Sequence, residues 1–101
     1  MNRLENAIKE ISKFYFIALK NLKEQSISSK EIDNLSVFYK YYADVEEAFK
    51  RLDKEKQQII TNEYFYDAYS NWWINQYSKK EFAALKRIAT KEFVRIFYEI
   101  H

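Results

Sequence analysis

The chain contains neither glycine nor proline in 101 residues, and this pair of absences constrains its fold more than any motif does. Glycine supplies the positive φ values that tight hairpin turns need, and proline stops helices and pre-shapes turns. Without either, regular helices joined by short polar connectors are what remains. The expected product is an all-α fold of four to five helices in a single domain over residues 1–101. It should divide into two long N-terminal helices (1–51) and a helix-turn-helix-like part (52–101). The length permits one core of modest size. Cysteine is also absent, which removes disulfides, thiol nucleophiles and thiolate metal sites and fits a reducing compartment. No apolar run approaches a membrane span. Glu5, Lys9, Glu10 and Lys13 interrupt the start of the chain before a signal-peptide core can form. A soluble cytoplasmic protein is the expectation.

Apolar periodicity places the helices. Leu4, Ile8, Ile11, Tyr15, Ala18 and Leu22 recur in alternating steps of four and three, with Ala7, Phe14 and Leu19 widening the stripe. That pattern predicts a helix from Leu4 to about Lys23 that touches more than one neighbour. Residues 25–29 break it, and Ser28 with Glu31 forms a capping-box pattern for a second helix over 30–52. Ile32, Leu35, Tyr39, Tyr42, Val45, Phe49 and Leu52 mark its buried face. Phe38 and Tyr41 lie beside that face, so aromatic residues surround much of the helix. This is either a large-residue core or, in part, a partner surface through Phe38, Tyr41 and Tyr42. Asp53 caps a third helix with Ile59, Ile60, Tyr64 and Phe65 inward, ending near Tyr66. A bend at 67–69 and a cap at Ser70 then predict a short fourth helix through residues 71–76. Of its adjacent tryptophans, Trp72 and Trp73, one is expected deep in the core and the other at a helix junction.

The last helix is the most strongly signalled. Ser78 and Glu81 form a second capping box, and Phe82, Leu85, Ala89, Phe93 and Ile96 follow as a buried stripe. Ala83, Lys86, Arg87, Thr90 and Lys91 fall on or beside the opposite face. The net charge of +2 makes no global case for a polyanionic partner. Residues 1–50 balance their charges, however, and the small basic excess falls on this helix.

Catalytic readings find little support. The single histidine is His101, at the end of the chain, where fraying is expected. The acids Glu46, Glu47, Asp53 and Glu55 read as solvated helix faces, and no Gly-rich phosphate loop exists. No enzyme, metal, cofactor or small-molecule substrate is expected.

Residues 52–97 taken together carry a family likeness. Leu52-Asp53, then Ile59-Ile60, Tyr64-Phe65, Trp72-Trp73 and Tyr77-Ser78 lead into a basic helix with Ala89 and Phe93. This order resembles the DNA-binding region 4 of bacterial sigma factors and, more closely, small phage regulators of the ArpU type. The resemblance implies that the helix after Ser78 enters the DNA major groove. Its candidate contacts are Lys79, Lys80, Ala83, Lys86, Arg87, Thr90 and Lys91. It further implies a transcriptional regulator whose partners are duplex DNA and RNA polymerase. Two features depart from a strong reader: the helix has no Asn or Gln, and Glu81 repels phosphate unless it folds back onto the cap. Residues 1–50 match no sigma core-binding region. Three alternatives stand beside this one: an ordinary core helix with solvated lysines, a helical interaction module that dimerises through residues 30–52, and a single-strand binder using the interleaved aromatics.

Overall fold

Ser78 stops the backbone in an extended conformation and its hydroxyl accepts the Glu81 N–H at 3.1 Å, while the Glu81 carboxylate accepts the Ser78 N–H at 3.2 Å. This reciprocal box starts the longest helix among the described residues, Lys79–Ile100, and turns the Glu81 carboxylate back onto the cap. Hydrogen bonding to the Ser78 side chain first, and then to its backbone N–H, holds the Glu81 carboxyl below its ordinary value. Replacing Ser78 with alanine leaves the Glu81 amide without its acceptor. It is expected to cost about 1 kcal/mol, read as a lower urea midpoint with an unchanged slope.

The computed structural model describes residues 3–23, 32–66 and 69–101. Among them, four α-helices follow in chain order: α1 (Arg3–Lys23), α2 (Ile32–Lys50), α3 (Lys54–Ile60) and α4 (Lys79–Ile100). The class is all-α, and no described residue has positive φ. The Ser28–Glu31 cap expected for α2 lies outside the described residues. Asp53 caps α3 as anticipated, accepting the Lys56 N–H at 2.9 Å. The helix then widens into a π-helical turn, Thr61–Phe65. The Thr61 N–H is shared between the Gln57 and Gln58 carbonyls where the two geometries meet. At the far end of this turn the Tyr64 carbonyl accepts the buried Ser12 hydroxyl of α1 at 2.6 Å, so a helix-end acceptor is satisfied from a neighbouring helix.

Ile8 and Ile11 of α1, Val45 and Ala48 of α2, Ile59 and Ile60 of α3, and Phe93 and Phe97 of α4 meet in one core. As the widened stripe implied, α1 packs against α2, α4 and the π turn. Polar ties fix the joints: Gln57 donates to the Phe49 and Leu52 carbonyls at 3.1 Å each, and Lys56 bridges to Glu92 at 2.7 Å.

Several sequence expectations are corrected here. Residues 69–77 form a succession of turns instead of a capped short helix. The hydrogen bonds run from Trp72 to Tyr69, Ile74 to Asn71 and Gln76 to Trp73, with one longer step from Tyr77 to Trp73. The reason is Phe82. Trp73 stacks on its ring at 4.5 Å and Trp72 meets it edge-on at 5.6 Å. On a regular helix two adjacent side chains diverge by about 100° and do not converge on one ring. Both tryptophans are therefore half-buried, and neither lies deep in the core. Trp72 also donates its indole N–H to Glu63 at 2.9 Å.

Tyr39, expected inward, is 64% exposed, and α2 turns Asp44 and Ala48 inward beside Val45. Asp44 tolerates burial because Lys40 donates to its carboxylate at 2.7 Å and the His101 Nδ1 lies 2.8 Å from it. His101 is tied back onto the helix: its N–H bonds the Phe97 carbonyl at 2.8 Å and its ring stacks on Phe97. Thr90, placed by sequence on the outward side of α4, is buried.

The Asp44 clasp sets a pH limit. Burial raises the carboxyl's pKa, but the bonds from Lys40 and His101 outweigh this and hold it below its ordinary 3.8. A depressed folded-state value means stability that is fully present above the unfolded value and is lost as pH falls through the folded one. Urea midpoints measured between pH 5 and pH 2 should therefore fall on acidification, and fall less steeply in Asp44→Asn.

Candidate nucleic-acid interface

Helix α4 is half sunk in the protein. Phe82, Ala89, Thr90, Phe93, Val94, Ile96 and Phe97 are buried against the other elements. The helical repeat of about 100° per residue then puts Lys80, Ala84, Arg87, Lys91 and Arg95 along the opposite side, and all five are exposed. Ala83 is exposed at the N-terminal end of the same side, whereas Lys79, exposed in the first turn, is seven residues before Lys86 and in line with it. With a rise of about 1.5 Å per residue, the cations from Lys80 to Arg95 cover roughly 22 Å of helix.

The seven residues singled out from the sequence divide in two. Lys80, Ala83, Arg87 and Lys91 lie on the open side, and Lys79 is exposed beside it in the first turn of the helix. Among the described residues no acid pairs with Lys79, Lys80, Arg87 or Lys91. Lys86 and Thr90 turn towards the body. The Lys86 ammonium sits 3.0 Å from Glu63 and 3.7 Å from Glu5 of α1, and 5.5 Å above the Tyr64 ring. Burial alone would lower its pKa, but the hydrogen bond to Glu63 and the charges around it more than offset that and keep it raised above 10.5. Two carboxylates neutralise this lysine, so it is spent within the fold. The Thr90 hydroxyl pairs with the Tyr64 hydroxyl at 3.2 Å. Together Ala83, Lys86, Arg87 and Thr90 line one wall of a small cleft beside Leu4, Glu5 and Tyr64.

Arg95 was not among those seven, although its step of four from Lys91 continues the stripe. It is paired with Glu99 at 3.0 Å, both side chains being more than half exposed, and an exposed pair of this kind is weak enough to exchange for a phosphate. Ile88, 51% exposed, lies between Arg87 and Lys91 on the same side. Among the described residues no group of three or more His, Asp and Glu side chains is arranged to hold a metal ion. None of the described helices is long and apolar enough to cross a membrane.

The aromatic residues of α2 are also sorted. Tyr42 stacks on Tyr15 at 5.5 Å, and Tyr41 packs on Phe97 at 5.4 Å and on His101. Both are engaged inside the chain. Phe38 and Tyr41 line a groove of about 250 Å³ with Phe14, Ile17, Ala18 and Val37.

Comparison with protein-family models, with curated proteins and with solved structures finds no match.

Proposed function

We propose that this protein is a small duplex-DNA-binding regulator that contacts DNA with the open side of α4. The observation that carries this reading is the stripe of Lys80, Arg87 and Lys91, with Lys79 at its end. These exposed cations have no acid partner among the described residues and are separated by the small Ala83 and Ala84. Lysine and arginine attract phosphate, and small residues between them let a helix approach a groove closely. Arg87 has the fork to grip guanine through two hydrogen bonds. The likeness of residues 52–97 to sigma region 4 and ArpU-type regulators supports the same reading. In place of a short leading helix, the run of turns over 69–77 braces the start of α4 through Phe82. The cations proposed for DNA are thus Lys79, Lys80, Arg87 and Lys91, with Arg95 in reserve and with Lys86 and Thr90 as supports.

Duplex binding measured across a salt series tests this. With four phosphate contacts the slope of log K against log salt should approach −4. Lys80→Ala/Arg87→Ala should reduce that slope by about 2, whereas Lys86→Met should leave the slope unchanged. Binding that ignores salt sinks the reading.

A second reading, a non-enzymatic interaction module, draws on the α1–α2 groove. Its lining exposes Val37, Phe14 and Ile17, an apolar patch of the kind that marks partner surfaces. Phe38 and Tyr41 belong to that groove and Tyr42 does not. A sedimentation series in which the protein stays monomeric at high concentration, for wild type and Val37→Lys alike, would remove a homodimer.

A further inference from the structure

A cavity of about 260 Å³ opens between α1, α2, the π turn and α4. It is open to solvent on one side, where Phe16 is half-exposed, and a water occupies about 30 Å³ of liquid. The cavity has room for an organic molecule. Phe93 of α4, fully buried, lies at the wall nearest the core, and Phe65 packs on it at 5.9 Å. Tyr15 and Phe16 of α1 close in on Phe65 at 5.5 and 6.2 Å. The wall is therefore mostly aromatic.

Tyr15, Glu46 and Thr61 are the residues of that wall that carry polar side-chain groups. The Tyr15 hydroxyl donates to Glu46 at 2.6 Å. Burial first, and then this bond and the Glu46 charge, push the Tyr15 hydroxyl well above its ordinary value of 10.0, so it stays a donor. No cation lies within ion-pair distance of Glu46 among the described residues, although Glu5, Glu63, Glu92, Glu47 and Asp44 each have one. Thr61 belongs to the π turn, and such turns inside α-helices occur often at functional sites. Here the turn brings Thr61 and Phe65 to the same pocket.

Aromatic faces and a carboxylate that has no paired cation among the described residues share one class of complement. Rings attract a cation through their negative faces, and apolar pockets orient their ligands with a few polar groups. We propose that this pocket binds a small organic cation, an ammonium whose hydrocarbon body lies among Phe16, Phe65 and Phe93 and whose charge meets Glu46. The site does not rest on the DNA reading, because its only α4 residue, Phe93, is on the buried side of that helix.

The probe is 2-phenylethylamine, followed by amide chemical shifts in the intact protein. Its neutral analogue 2-phenylethanol and its anionic analogue phenylacetate are titrated in parallel. Saturable shifts confined to residues around Tyr15, Glu46 and Thr61 are expected for the amine. The alcohol should bind at least tenfold more weakly and the acid should not bind. Glu46→Gln should weaken the amine about tenfold and leave the alcohol unchanged, and Phe16→Leu, at a half-exposed position, should weaken both. Equal affinity for amine and alcohol in the wild type overturns the proposal without reference to any variant. So does the absence of saturable shifts at millimolar amine, or full retention of amine affinity in a folded Glu46→Gln protein.

Discussion

Phe93→Ala is expected to remove about 3–5 kcal/mol of stability, the range for truncating a fully buried phenylalanine. Phe93 has no exposed surface, and it touches the rings of Phe65 and Phe97. Its loss therefore takes away contacts from the π turn and from the end of α4 together. Stabilities of single domains fall in the range of roughly 5–15 kcal/mol, so the variant should stand close to the unfolding threshold. Urea denaturation followed by circular dichroism measures the effect. Tyr98→Ala is the control: it truncates an aromatic side chain on the same helix at a 59% exposed position, where changes stay near 0.5 kcal/mol. Equal losses in the two variants would contradict the core assignment.

The second large effect concerns Phe82. This ring is nearly buried and gathers Trp73, Trp72 and Tyr77, the last at 6.1 Å. Phe82→Ala should cost about 3–5 kcal/mol and carry a signature that Phe93→Ala lacks. With the ring gone, residues 69–77 have no helix of their own to hold them, and both indoles should become wetter. Tryptophan emission in the folded variant should shift to longer wavelength below the unfolding transition. If emission is unchanged while stability drops, something other than Phe82 fixes the segment. Retention of the Trp72–Glu63 hydrogen bond would make the shift smaller, and Glu63→Gln added to Phe82→Ala measures that share.

These two residues also show what the sequence made readable. The stripe containing Phe82 and Phe93 repeats at helical spacing, and the Ser78–Glu81 box is local, so the course of α4 could be read directly. The width of its buried arc could not. Because α1, α2 and α3 all pack on this helix, burial spreads from the stripe to Thr90, Val94 and Phe97, and two of the anticipated contact residues turn inward. Lys86 illustrates the limit most clearly. Its acid partners, Glu5 and Glu63, lie 81 and 23 positions away in the chain, and nothing in the local pattern announces them. Tyr39 and Asp44 make the complementary point. Hydropathy favours the tyrosine as the inward residue, yet the aspartate is buried because Lys40 and His101 satisfy it. Likewise, a capped turn with helical residues, 70–77, becomes a run of turns because two neighbouring indoles share one ring. The Glu46 pocket is built by four elements and has no signature in any one of them.

The absence of positive φ among the described residues has a bearing on how this protein tolerates change. Every described position, connectors included, holds a backbone conformation open to all the L-amino acids other than proline. No described site is reserved for a residue that alone can make a left-handed bend. Sensitivity across a saturation library should then follow side-chain volume, helix caps and polar partners, without the isolated intolerant points that obligatory glycines create. Tyr66 and Tyr69, both strongly exposed, should accept nearly any residue except proline. A chain built this way can drift far in sequence while its helices stay in place, since what must persist is a pattern of large and small side chains and not a set of irreplaceable letters.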